Sequence, residues 1–259
     1  MDYRNLMNFT GKTVLVSGAS RGIGEAIARG FAANGARVIV SSRDQAACEQ
    51  VAASIGAEGG SAVARAAHAG RMEDVSALFD WIEAEMDGLD VLVNCGGTNP
   101  YYGPIGDTPV AAFDKTVDVN LKGPFYLSAH AVRLMKGRGG GAIVNVASIN
   151  GIRPGDMQGI YSMTKAAMIN MTMAFAREYG RYGIRVNAIC PGFVETKMTS
   201  VFLENEQVMA AVAAKFPIPR VGQPADMVGG VLYLASDAAA YTTGTTLVMD
   251  GGYMTGGSL

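Results

Sequence analysis

The chain has 259 residues, of which 49% are hydrophobic and 17% charged, enough for one large, well-buried α/β domain over residues 1–259. A net charge of −2 leaves no basic footprint for nucleic acid, and no run reaches the ~18 uninterrupted apolar residues of a membrane span. Cys48, Cys95 and Cys190 are scattered and odd in number, the two histidines (His68 and His130) lack metal-ligand spacing, and Met1–Thr10 is polar, so we expect buried thiols, no metal centre and a cytoplasmic location.

The first element is a strand at Val14–Val16, a short β-branched apolar run. Gly18, Gly22 and Gly24 come next, then an alanine-rich helical stretch from Glu25 to Ala33. Strand, glycine turn and helix place a helix N-terminus where it can hold a phosphate. Gly18 would allow the tight turn, Gly22 the approach of a pyrophosphate and Gly24 close helix–strand packing, with Ser20, Arg21 and Ile23 completing a dinucleotide loop. The spacing G-x-x-x-G-x-G departs from the commoner G-x-G-x-x-G.

Strand-like runs recur at Val38–Val40, Ala62–Ala64, Val91–Val93, Ile143–Val146, Val186–Ile189 and Thr246–Met249, mostly separated by helical stretches. This alternation predicts a parallel sheet covered on both faces. Ligands of open α/β sheets bind beyond the carboxyl ends of the strands. Ser17-Gly18, Ser42, Asn94, Ser148 and Pro191-Gly192 each come directly after a strand, so five strand ends converge on one rim. The second strand often ends in a carboxylate that takes the ribose 2′-OH of NAD. Here Ser42 stands in its place, and Arg43 beside it can pair with a 2′-phosphate, which favours NADP(H) over NAD(H). Asp44 is expected to cap the next helix. The least regular segment, residues 195–223 with Pro217-Ile218-Pro219, reads as a partly helical lid.

Tyr161 and Lys165 are four residues apart, about one helical turn, and so share a helix face. A free phenol, with a pKa near ~10, is a poor proton exchanger at neutral pH, and a nearby ammonium lowers that value. The pair reads as a general acid/base, with Ser148 available to hold a substrate oxygen.

Gly18-x-x-x-Gly22-x-Gly24, Asn94-Cys95-Gly96-Gly97, Asn120, Ser148, Tyr161-x-x-x-Lys165 and Pro191-Gly192 occur in the order seen in short-chain dehydrogenases/reductases, and the chain resembles that family from about Gly11 to Gly252. The resemblance implies a doubly wound Rossmann fold with seven strands in the order 3-2-1-4-5-6-7. It implies that Asn94 and Gly96 belong to the cofactor side. Tyr161 would be general acid in reduction and base in oxidation. Lys165 would lower its pKa and hold the nicotinamide ribose, Ser148 would orient the substrate oxygen, and Asn120 would place a water on a proton path. Val194 and Thr196 would meet the nicotinamide carboxamide. Where the family often has an Asp for the adenine amino group, this chain has His68, which either takes over the contact or leaves adenine to apolar packing. A homotetramer is expected, with pairing faces around Phe113–Met135 and Tyr161–Arg181.

Asn99, Tyr101, Tyr102, Arg153, Met157, Val201, Phe202 and Phe216 are expected to line the substrate pocket, with Arg153 a candidate anchor for an anion. The expected partner is a small carbonyl or alcohol. The first reading is an NADP(H)-dependent carbonyl reductase. A sugar or polyol dehydrogenase is the alternative, and a catalytically silent nucleotide-binding regulator the reading from a different class.

Overall fold

A computed structural model describes residues 5–197, 199, 207, 209–210 and 216–256. Seven parallel strands form one sheet: β1 (Thr13–Ser17), β2 (Arg37–Ser41), β3 (Ser61–Ala64), β4 (Val91–Asn94), β5 (Gly141–Val146), β6 (Ile184–Pro191) and β7 (Thr246–Met249). Their order is β3-β2-β1-β4-β5-β6-β7, as the resemblance implies. The chain order reverses between β1 and β4, and a crevice opens there at the carboxyl ends.

The central strands are mostly apolar because both faces are covered. Every residue of β1 and β4 is buried. One layer of core is built from Val14, Val16, Val38, Val40 and Val93 with Ile27 and Phe31 of helix α1 (Gly22–Ala33). The opposite layer joins Leu15, Ile39, Leu92 and Ile143 to helices α3 (Met72–Glu85) and α5 (Gly123–Lys136) and to α6 (Gly159–Tyr179). Among the described residues the other α-helices are α2 (Gln45–Ala57), α4 (Val110–Val117) and α7 (Val228–Ala235). Asp44 caps α2 as expected, its carboxylate accepting from the Ala47 N–H at 3.2 Å. His130 is a packing residue stacked on Phe79 at 5.1 Å between ring centres.

One feature departs from the expected pattern. α4 and α5 are one helical track, joined through a π-helical segment at Asp118–Lys122. The extra residue of a π turn rotates the helix on its C-terminal side, and such turns gather at functional sites. The lid expected at 195–223 lies largely outside the described residues, Val201 and Phe202 included. Of its described part, Phe216 is 9% exposed and packs on Tyr253, 4.8 Å between ring centres. No helix among the described residues is long and apolar enough to cross a membrane.

Candidate active site

A cleft of about 660 Å³ runs along the carboxyl ends of the strands. Its glycine-loop end is defined by close backbone approach. Gly18 has φ +82°, and a Cβ there would lie 2.5 Å from the Gly96 nitrogen of the β4 loop. A Cβ on Gly24 would collide with the Gly18 carbonyl. These glycines therefore let the loop fold flat under the N-terminus of α1, a twelve-residue helix whose first residues Gly22, Ile23 and Gly24 line the cleft. Ser20, Arg21, Gly22 and Ile23 line the cleft there, and Ser42 and Arg43 line it from the end of β2. Arg43 is exposed and forms no ion pair with any described residue. Beyond β2, Ala67, His68 and Ala69 supply the wall from the end of β3. Together with Lys115 the cationic side chains outnumber Asp44, the one acid in this lining, so the cleft is built for an extended anion.

Ser148, Tyr161 and Lys165 line the other end. Ser148 caps the short 3-10 turn Ile149–Gly151, its Oγ accepting from the Asn150 N–H at 3.1 Å. A Cβ on Gly151 would sit 2.7 Å from the Lys165 carbonyl carbon. Glycine there lets the turn rest directly on α6, which brings the Ser148 hydroxyl into hydrogen bonding with the Tyr161 phenol. Lys165 is 3% exposed, donates from Nζ to the Val146 carbonyl at 2.8 Å and lies 5.7 Å from the centre of the Tyr161 ring.

The electrostatics correct the simplest expectation for this pair. Burial pushes the Tyr161 phenol up to about 12, with the Ser148 hydrogen bond pulling the other way. Burial also pulls the Lys165 amine down to about 8. Desolvation disfavours both charged forms and here outweighs any lowering of the phenol by the ammonium. The neighbouring thiols are held as thiols, Cys95 at about 12 and Cys190 at about 11, again by burial.

Two expected site residues turn inward. Asn94 does not line the cleft: its Nδ2 donates to Asn145 Oδ1 at 2.8 Å and Ser128 Oγ at 3.1 Å. Asn145 stands opposite it on β5 and in turn donates to Thr172 Oγ1 at 2.9 Å, so Asn94 ties β4 to β5, α5 and α6 rather than meeting a ligand through its side chain. Asn120, in the π segment, is wholly buried and clamps Thr98, accepting from its N–H and donating to its carbonyl, both at 2.8 Å. It shapes the cleft by fixing the Thr98 backbone.

The other expected cofactor residues, Gly96, Pro191, Gly192, Val194 and Thr196, all line the cleft. Thr199 was not anticipated; its Oγ1 bonds the Val194 carbonyl at 2.7 Å and accepts from the Thr196 N–H at 2.9 Å, holding both residues in place. Lys115, Val119 and Thr98 also line the cleft without any motif to announce them. Of the expected substrate residues, Asn99 lines the cleft, its Nδ2 donating to Gln158 Oε1 at 3.1 Å. Tyr101, Tyr102, Arg153 and Met157 do not. The Tyr101 hydroxyl donates to the Pro104 carbonyl at 3.0 Å, and Tyr102, Arg153 and Met157 are exposed. No group of three or more potential metal ligands occurs among the described residues.

Comparison with known proteins agrees with this arrangement. A family profile described as enoyl-(acyl carrier protein) reductase matches residues 18–254. Dehydrogenase/reductase SDR family member 4 of Bos taurus is 36% identical over 93% of this chain and 86% of its own length. The L-rhamnose 1-dehydrogenase (NAD(P)(+)) of Azotobacter vinelandii is 39% identical over 93% of this chain and 96% of its own. The structure of a gluconate 5-dehydrogenase from Burkholderia cenocepacia J2315, in complex with NADP and tartrate, superposes with a TM-score of 0.94 at 28% identity, covering 98% of this chain and 99% of that one. With its sheet order, glycine loop and Ser148/Tyr161/Lys165 arrangement, the chain belongs to the short-chain dehydrogenase/reductase family of oxidoreductases, which act on alcohol and carbonyl groups with a nicotinamide nucleotide.

Proposed function

We propose that the protein is an NADP(H)-dependent oxidoreductase that interconverts a ketone or aldehyde and its alcohol, with Tyr161 as general acid/base. The observation that carries this is the convergence of Ser148, Tyr161 and Lys165 on one end of a cleft whose other end is a flattened glycine loop. The loop and the α1 N-terminus would hold the pyrophosphate, with Ser20, Arg21 and Ile23 beside it. Arg43, free of any ion pair among the described residues, would take a 2′-phosphate, and Ser42 presents no carboxylate to repel it. Val194 and Thr196 would face the carboxamide.

When bound, a reduced nicotinamide would supply the hydride for the carbonyl carbon. Ser148 holds the carbonyl oxygen while Tyr161 delivers its phenolic proton to it, leaving a phenolate that Lys165 stabilises and reprotonates. An amine held near 8 exchanges protons readily at neutral pH. A Cβ on Gly97 would lie 3.7 Å from both Lys165 Nζ and Asn120 Oδ1, so the two polar groups border one small space, which suits a water on a proton path.

A second reading, oxidation of a sugar or polyol, is favoured by the likeness to the rhamnose dehydrogenase. A silent nucleotide binder would have no use for Tyr161 set against a buried Ser148 and Lys165. A homotetramer in the cytoplasm completes the reading. Phe113, Phe125, Tyr126, Met163 and Met173 are exposed on α4, α5 and α6, and β7 leaves Val248 39% exposed at the sheet edge, so two separate apolar faces are free to pair.

The test is titration with NADPH and NADH by fluorescence, then turnover of diketones, acetoacetyl thioesters and sugars. Tighter NADPH binding with carbonyl turnover is expected. An NADH preference would move Ser42 to the ribose hydroxyl and the polyol reading to the front.

A further inference from the structure

Resting on the cofactor reading above, we infer that Thr199 is a positioning residue: it fixes the Thr196 hydroxyl as a hydrogen-bond acceptor, so that Val194 and Thr196 together select a carboxamide that carries its amino hydrogens. The segment Phe193–Thr196 follows the end of β6 and is held from two sides. On one side it bridges to Gly222: the Glu195 N–H donates to the Gly222 carbonyl at 2.8 Å, and the Gly222 N–H to the Phe193 carbonyl at 2.9 Å. The alternate backbone groups, the Val194 carbonyl and the Thr196 N–H, both go to the Thr199 hydroxyl.

A hydroxyl has one hydrogen and two lone pairs. The Thr199 hydrogen goes to the Val194 carbonyl at 2.7 Å; the Thr196 carbonyl, farther away at 3.1 Å, already accepts from the Thr199 N–H at 3.0 Å. One lone pair of Thr199 Oγ1 accepts from the Thr196 N–H at 2.9 Å. Thr196 Oγ1 stands 3.2 Å from Thr199 Oγ1. With the Thr199 hydrogen committed to Val194, Thr196 is the donor of that contact. It spends its hydrogen there and keeps only lone pairs for a ligand.

Val194 is the complement: its N–H bonds no described residue. Both residues line the cleft, so the pair presents one donor and one acceptor to it. A phosphate has acceptors alone and gains nothing from a hydroxyl in this state, although Thr196 lies beside the glycine loop. The atom of Thr196 turned to that loop is its methyl: a Cβ on Gly22 would stand 3.6 Å from Cγ2. A carboxamide matches the pair, with an oxygen for the Val194 N–H and amino hydrogens for Thr196 Oγ1.

The test is calorimetric titration, without substrate, with three ligands: NADP+, its 3-acetylpyridine analogue, which keeps the acceptor oxygen but has no amino hydrogens, and 2′-phospho-ADP-ribose, which has no nicotinamide. The wild type is expected to bind NADP+ about fivefold more tightly than the acetylpyridine analogue, the scale of one neutral hydrogen bond. Thr199→Val keeps the shape without the hydroxyl and is expected to shrink that preference to about twofold or less, while Thr199→Ser keeps it. All three proteins are expected to bind 2′-phospho-ADP-ribose equally. Equal binding of the two dinucleotides by the wild type, an unchanged preference in Thr199→Val, its loss in Thr199→Ser, or weakened 2′-phospho-ADP-ribose binding in Thr199→Val overturns the inference. Failure of the wild type to bind any of the three would instead remove the cofactor reading, and this inference with it.

Discussion

At the glycine-loop end of the cleft, the side chains of Arg21, Arg43 and Lys115 are exposed and bond no described residue, whereas at the α6 end Lys165 is 3% exposed and fixed to the Val146 carbonyl. The first end recognises with backbone and loose charge; a long cation there can track a phosphate at little structural cost. The second end is pre-organised. Its groups are desolvated, oriented by Gly151 and Asn120, and displaced in opposite directions from their ordinary proton affinities. Binding selectivity should therefore be tunable from the first end without loss of fold, while the second end should respond to single-atom changes.

The largest expected effect comes from removing one oxygen. Tyr161→Phe should lower turnover by about a thousandfold, the range of a lost general acid, while the cofactor Kd stays within about twofold. Steady-state kinetics beside a fluorescence titration decides it, and retained turnover would end the proposed role of the phenol. At the other end, Arg43→Ala should weaken NADPH binding by about tenfold and leave NADH nearly unchanged, because only the 2′-phosphate meets the guanidinium. Equal losses for both dinucleotides would mean that Arg43 supports the loop instead.

The smallest effect is on stability. The Lys165 amine is held near 8, below its ordinary 10.5, so the unfolded chain takes up this proton first as pH falls. The stability due to the neutral amine is complete above 10.5 and is lost as pH falls through 8. Tyr161 acts in the opposite sense at higher pH: its contribution is complete below 10 and is lost as pH rises through 12. Calorimetric melting of the cofactor-free protein should show the wild type gaining on Lys165→Met by a few degrees from about pH 8 to 10, roughly 2–4 °C per kcal/mol for a chain this size. Parallel curves would show that Lys165 is more solvated than its burial implies.

The centre of the sheet was readable from sequence because β1 and β4 are buried on both faces and so contain unbroken apolar runs, Val14–Val16 and Val91–Val93. The Tyr161–Lys165 pair was readable because four residues close a helical turn. Asn94 was misplaced because a motif gives a residue's neighbourhood and not the direction of its side chain; its register with Asn145 emerges only when β4 and β5 pair. Lys115 was missed because the π segment breaks the 3.6-residue spacing that would have related it to Asn120. The proton affinities could not be read at all, since spacing reports proximity and says nothing of desolvation.

The π segment at Asp118–Lys122 also makes the cleft sensitive to chain length. Removing a single residue from it would restore regular α-helical hydrogen bonding and make the α4–α5 track locally more comfortable. It would also turn one half of that track by about 100° against the other, swinging Lys115 away from the cleft or Asn120 away from Thr98. A deletion that repairs the helix would thus dismantle the site it frames.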